Sequence, residues 1–323
     1  MAKEKVFKSR NKNLNVFVIT FLVILLVYSV SLFIPLIWGF YTSFKHWQEF
    51  RTNVVGLPDL SYWKTFAMMD PDYDHIFANY AVLIKNFEFK RTVSYYVGIF
   101  TETSVRHEVT ASIFGCLVNT VLYCAGCCIL PTFMSLIYGY LCAKYRYKFS
   151  TFFYMFEIFT MVMPIVGTMP AMITLTRQLG FYDEFYGHWI RQCIVNGTYF
   201  LIFYAFYSGL SDTYIEAAEI DGASQLRVIV SIIIPLARTT LSTVMVLMFV
   251  SAWNDYNTPL IYLPTKPTIA YGIFYMTTSG MTRYDRVPIR VASLMLLCIP
   301  VLVLFILLKD KLMGNVSMGG IKE

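Results

Sequence analysis

Long apolar runs separated by polar segments set the pattern of this chain. The first, residues 14–41, is long enough to cross ~30 Å of hydrocarbon as a helix rising ~1.5 Å per residue. Comparable runs follow at 112–143, 149–176, 188–210, 239–259 and 291–308. Pro35, Pro131, Pro164 and Pro170 lie inside them, which membrane helices accept where neighbours satisfy the freed carbonyl groups. The pattern predicts an all-α integral membrane protein of six transmembrane helices. Residues 1–13 and 309–323 form tails, and 112–308 hold a five-helix core. The mixed stretch 42–110 is nowhere apolar for long enough to span, so it is expected as an external insertion after the first helix. It contains an acidic run at 70–74 and a β-leaning segment at 92–100.

Charge fixes the orientation. Lys3, Lys5, Lys8, Arg10 and Lys12 precede the first run, and Lys144, Arg146, Lys148, Arg227, Arg238, Lys309, Lys311 and Lys322 fall on the same side. The short segments opposite carry only Arg177, Arg191, Lys266, Arg283, Arg286 and Arg290. By the positive-inside rule both termini are cytoplasmic and residues 214–238 face the cytoplasm. The net charge of +6 is therefore a topology signal and not a nucleic-acid footprint. At 57% hydrophobic and 14% charged the chain is outside the range of soluble domains, whose charged share is about a quarter. No small-residue cleavage site follows the first run, which is also too long for a signal-peptide core, so it is expected to stay in the mature protein.

Little enzymatic chemistry is legible. The seven cysteines lie in apolar runs, and Cys124, Cys127 and Cys128 share a helical face with no His or carboxylate nearby, which reads as buried small hydrophobes and not a metal site. His46, His75, His107 and His188 are scattered, and no Gly-x-x-x-x-Gly-Lys phosphate loop is present. Glu157 inside the third run is a costly carboxylate, either functional or paired to a neighbouring helix.

One polar stretch has its own logic. At 211–238, Ser211, Asp212 and Thr213 can cap a helix through Ala218. Ile215, Ala218 and Gly222 share a mostly small face, Gly222 suits a left-handed helix end, and Ser224 can cap a second helix running to Ile234 before Pro235. A solvated connector would look much the same.

Glu216, Ala217, Ala218, Gly222, Ile232 and Pro235, with Asp221 and Ala223, resemble the EAA loop of binding-protein-dependent ABC importer permeases. That resemblance implies a coupling helix docking onto an ATP-hydrolysing subunit. Ile234 stands where Leu is usual, and Thr239 where a proline is frequent, implying a less kinked start to the fifth helix. Trp253, Asn254, Asp255, Tyr256, Pro259, Leu260 and Ile261 resemble the WND(F/Y)xxPL pattern of carbohydrate permeases of the maltose-transporter type. Gly319, Gly320, Ile321 and Lys322 resemble the ending of their second permease subunit. Asn79 with Tyr80, and Asn119 with Thr120, fall where such permeases have similar pairs; residues 87–108 stand apart as an insertion. The resemblance implies a non-enzymatic permease subunit of a carbohydrate importer in the cytoplasmic membrane. It implies a second permease, two ATPase subunits holding ATP and Mg, an extracytoplasmic solute-binding protein, and no cofactor on this chain. Glu157, Asn254, Asp255 and Tyr256 are candidates for the substrate path or its gating. An importer of amino acids, polyamines or anions is the alternative, and an unrelated membrane enzyme or receptor a distant third.

Overall fold

The computed structural model describes residues 2–66, 75–85, 87–96, 104–145, 147–163, 167–193, 197–278 and 286–313. The acidic run at 70–74 and the Gly319–Lys322 ending lie outside the described residues. The chain divides into two units, Met1–Asn86 with Gly280–Leu296, and Phe87–Ser279 with Leu297–Glu323.

The first unit begins with α1 (Ala2–Thr42), whose apolar part is Val16–Thr42. Helix continues through the charged tail expected to precede it, because no glycine or proline interrupts the sequence before Pro35. Three short helices follow, α2 (Trp47–Thr52), α3 (Ser61–Phe66) and α4 (Ala78–Lys85). Their connections are held by buried polar side chains. Asn79 Nδ2 donates to the Ser43 and Lys45 carbonyls at 2.8 and 2.9 Å, Tyr80 bonds Ser43 Oγ at 2.8 Å, and Trp63 donates to the Phe44 carbonyl. Asn79 thus satisfies backbone carbonyls left over where α1 ends, and Tyr80 holds the Ser43 hydroxyl beside them. Lys45 donates to the Asn53 carbonyl at 2.7 Å, and burial pushes its ammonium below the usual lysine range.

The second unit opens with a hairpin, β1 (Glu88–Tyr96) paired antiparallel with β2 (Ser104–Ser112), in register from Glu88 opposite Ser112 to Tyr96 opposite Ser104. An all-α fold is thereby corrected to a helical one carrying a β-hairpin. The β-leaning segment lies four residues further on than the strand itself, because Glu88, Lys90 and Arg91 mask the apolar alternation of Phe87, Phe89 and Val93.

There follow α5 (Ile113–Lys144), α6 (Lys148–Val162), α7 (Thr168–Gln178), α8 (Phe185–Gln192), α9 (Gly197–Ser208), α10 (Thr213–Ile220) and α11 (Gln225–Val228). A π-helical turn (Ile229–Ile233), α12 (Ile234–Leu236), α13 (Arg238–Asn254), α14 (Asn257–Tyr262), α15 (Ile269–Thr278) and α16 (Val287–Met313) complete the order. Among the described residues three helices are long and apolar enough to cross a membrane, Val16–Thr42, Ile113–Lys144 and Val287–Leu308. A fourth appears if Gln225–Leu236 and Arg238–Asn254, bent by 73°, are taken together. The runs expected as third and fourth spans are each two shorter helices, α6 with α7 and α8 with α9. Apolar character persists across such breaks, so hydropathy alone does not reveal them.

The core of this unit forms where α5 packs against α9 and α13. Tyr123, Tyr140, Phe203, Tyr207, Ile233 and Val244 are buried there together with Cys124, Cys127 and Cys128. Between helices in lipid there is no hydrophobic drive, so close van der Waals contact holds them. Gly139 makes that contact possible. A Cβ there would stand 2.7 Å from Phe203 Cβ and 2.9 Å from the Tyr204 backbone nitrogen, and the latter cannot swing away. Asn119 and Thr120 pin α5 to the start of α15: Asn119 donates to the Pro267 carbonyl at 3.0 Å, and Thr120 Oγ1 accepts from the Ile269 amide at 2.9 Å. Gly139→Ala therefore costs about 1–3 kcal/mol by overpacking. The expected outcome is a Tm in detergent several degrees below the parent; an unchanged Tm would refute the close approach of α5 and α9.

Candidate functional site

The loop from Asp212 to Ala237 is built on two caps and one left-handed residue. Helix α10 ends with the Ala223 amide donating to the Ala218 carbonyl at 2.9 Å and the Gly222 amide to the Glu219 carbonyl at 3.0 Å. This paired closure requires positive φ at the residue after the cap, and Gly222 has φ 73°. Ser224 Oγ accepts from the Arg227 amide and caps α11 as expected. At α10 the cap differs: Asp212 occupies the position without a side-chain capping bond to the helix amides, and Ser211 Oγ accepts from the Thr213 amide. The second helix also differs, because helical turns continue through Pro235 and the chain breaks at Ala237. Proline lacks only its own amide donor, and the wider π-helical turn before it absorbs the mismatch. The bend of 73° is large although Thr239, and not proline, stands just beyond it.

The small face splits in two. Ala218 is 7% exposed and faces the core beside Val228, Ile233 and Ala237, so it anchors the loop to its own unit. Glu216, Ala217, Asp221 and Gly222 are exposed, Ala223 and Ile232 are half-buried against the core, and Pro235 is exposed. Two apolar side chains missed in the sequence join the outer face: Ile220 is 86% exposed and Leu226 is 76%. Exposed branched side chains flanking a turn were the signal that could have found them.

A cavity of about 430 Å³ lies at the other end of the same helices. Its wall takes Tyr123, Cys127 and Pro131 from α5, Met172 from α7, Arg191 and Gln192 from α8, Tyr199 from α9, and Met248, Ser251 and Ala252 from α13. Asp255 completes it, accepting from Tyr123 OH at 2.8 Å and from the Thr258 amide at 3.0 Å. Arg191 is held by His188 Nδ1 at 3.1 Å, and its guanidinium lies 4.1 Å over the Tyr262 ring. Aromatic faces with a carboxylate, a guanidinium, an amide and a hydroxyl can stack on and hydrogen-bond a polyol.

Of the four path candidates, only Asp255 reaches this wall. Asn254 donates to the Val250 carbonyl of its own helix at 2.8 Å, and Tyr256 stacks on Phe274 at 4.2 Å. Glu157 sits with Thr160 on α6, and its Oε2 lies near Gly197. Trp253 donates to the Leu297 carbonyl at 3.0 Å and ties α13 to α16. Tyr123, Arg191, Gln192, Tyr199 and Ser251 were not foreseen, since they come from four helices whose mutual rotation no local pattern states.

The family of binding-protein-dependent transport system inner membrane components matches residues 135–317, more than half of the chain, including the whole loop. The chain belongs to that family. Among relatives of this inner membrane component, the sn-glycerol-3-phosphate transport system permease protein UgpE of Escherichia coli K12 is 25% identical over 186 residues, 57% of this chain and 66% of that protein. The chain thus spans just under two thirds of the length of that relative. The arabinooligosaccharides transport system permease protein AraQ of Halalkalibacterium halodurans is 25% identical over 233 residues, 72% of this chain and 80% of that protein. A solved bacterial ABC transporter involved in import of the acidic polysaccharide alginate shares the fold, with a TM-score of 0.67 at 20% identity, covering 92% of this chain and 96% of that one.

The turn before α8 is stapled to the segment after α14. Asp183 has φ 63°, its amide donates to the Tyr262 carbonyl at 2.8 Å, and its carboxylate accepts from the Thr265 amide and hydroxyl. Burial pushes that carboxyl above the usual aspartate range, with the Thr265 bonds and Lys266 pulling against it. Asp183→Asn keeps a side chain that tolerates left-handed backbone and can still accept from Thr265. Asp183→Val loses both, at about 2–4 kcal/mol. In a detergent melt the asparagine variant should track the parent and the valine variant fall well below it; equal Tm values would dismiss the staple.

Proposed function

We propose that this chain is one permease subunit of an ATP-driven, binding-protein-dependent carbohydrate importer in the cytoplasmic membrane. It works beside a second permease, two ATPase subunits holding ATP and Mg, and an extracytoplasmic solute-binding protein. The observation that carries the reading is the loop of α10 and α11, closed on left-handed Gly222, with Ala218 inward and Glu216, Ala217, Ile220 and Asp221 outward. An exposed rigid knob of that kind suits a groove on a partner: Ala217 permits close approach, and Glu216 and Asp221 offer charge-assisted bonds to Arg or Lys. Ile232 packs half-buried against the core and Pro235 precedes the bend into α13.

Six spans follow if α6 with α7 and α8 with α9 each cross as a pair. Both termini and the loop are then cytoplasmic, the cavity opens toward the outside, and rocking of two permease halves would expose it alternately. The named substrates of UgpE and AraQ, a polyol phosphate and an oligosaccharide, agree with a sugar-like cargo.

A second reading, an anionic solute or acidic sugar, is favoured by Arg191 in the cavity wall. Losing one bond to a charged group costs about 1.5–3 kcal/mol, or roughly 10–100-fold in affinity. Arg191→Gln should then lower uptake of a uronate oligosaccharide far more than that of its neutral counterpart. Equal losses would leave the neutral-sugar reading in place.

The coupling role is tested at Gly222. A Cβ there meets nothing within 4 Å, so Gly222→Val acts only through the backbone. The variant should reach the membrane in normal amount yet lose most ATP-driven uptake in proteoliposomes holding the whole importer. Wild-type uptake would sink the coupling reading.

A further inference from the structure

The loop is tied at both of its limbs to the inner end of a third helix. The last residue of α5, Lys144, has a side chain only 8% exposed. Its ammonium donates to the Leu210 carbonyl, just beyond α9, and to the Asp212 carboxylate at the start of α10. The next residue, Tyr145, donates its hydroxyl to Gln225 Oε1 at the start of α11. Gln225 Nε2 in turn donates to Glu219 Oε1 near the end of α10, at 2.8 Å. Tyr145 is held edge-on by Tyr140 at 5.9 Å, and Tyr140 by Tyr207 at 5.5 Å. One helix end therefore holds the entrance and the turn of the loop.

The covalent routes out of the loop are softer. Toward α9 the chain passes through non-helical residues at 209–212. Toward α13 it passes through the π-helical turn and the 73° bend, features that yield under load. By contrast α5 runs helical from Lys144 to Pro131, Cys127 and Tyr123, all in the cavity wall. At ~1.5 Å per residue that is a span of about 20–30 Å.

We propose that α5 is the stiff member through which movement of the coupling loop reaches the cargo cavity, and that Lys144 and Tyr145 are the positioning residues that engage it. This rests on the coupling reading above. A Lys144–Asp212 pair on an exposed surface would add little stability, but here the ammonium is nearly enclosed and also satisfies the carbonyl after α9. Rupture of these bonds leaves the loop's outward face intact, so docking persists while its stroke is no longer transmitted.

The test uses the complete importer, with companion permease, ATPase subunits and binding protein, in proteoliposomes. Lys144→Met and Tyr145→Phe should keep the ATPase subunits bound at parental stoichiometry and keep ATP hydrolysis. Solute imported per ATP should fall about fivefold or more, the scale of one ordinary coupling free energy. Lys144→Arg, which can still donate to both acceptors, should restore the ratio. A parental import-to-hydrolysis ratio in Lys144→Met overturns the proposal; if that variant does not assemble, the ratio in Tyr145→Phe decides in the same way. Failure of the coupling reading itself looks different, because Gly222→Val would then import normally. Loss of coupling in Gly222→Val with none in Lys144→Met or Tyr145→Phe removes α5 as the route and leaves the docking loop.

Discussion

Contact between α5 and α9 at Gly139 is the constraint on which the larger unit depends. With no Cβ at that position, the backbone of α9 near Tyr204 comes within reach of α5, and the tyrosine layer of Tyr140 and Tyr207 closes beneath it. Both functional features hang from this contact. The loop's inward residues Ala218, Val228 and Ile233 join the same buried cluster at one end, and Tyr123 and Cys127 carry it to the cavity at the other. Dispersion between closely approached surfaces is the force available in lipid, and one small residue decides whether it is realised.

Much of this arrangement is legible in the chain because it is local. Gly222 and Ser224 announce a helix stop and a helix start within three residues, and both do what their chemistry suggests. The bounds of α5 are readable to within a residue because Ser112 caps one end and Lys144 closes an apolar run at the other. What escapes is relational. Whether Ala217 or Ala218 faces out depends on how α10 rolls against Tyr207 and Val228, not on either alanine. The cavity likewise needs the rotations of α5, α7, α8, α9 and α13 together, and Asp255 was found only because it belongs to a short recognisable run.

That run is one motif whose four side chains do different things. Trp253, Asn254, Asp255 and Tyr256 form one unit, yet each side chain leaves it in a different direction: to α16, back to its own helix, to Tyr123 and α14, and to Phe274. Where α13 stops, Asn254 satisfies the Val250 carbonyl and Asp255 the Thr258 amide at the start of α14. Of the four, only Asp255 lines the cavity, so chemistry and architecture meet at a single residue.

The hairpin poses the complementary question, since a two-stranded ribbon is marginal in water by itself. Its inward face supplies Phe87, Phe89, Arg91 and Val93. Phe89 lies 5.2 and 5.1 Å from the rings of Tyr271 and Tyr275, and Arg91 bonds Tyr271 OH while lying over both rings. The ribbon is thus ordered by α15, and α15 is pinned in turn by Asn119 and Thr120 to α5. A hairpin held in this way presents a rigid surface. Its outer residues Glu88 and Lys90 are charged, exposed and paired with each other, and charge at an edge discourages a further strand from adding to it.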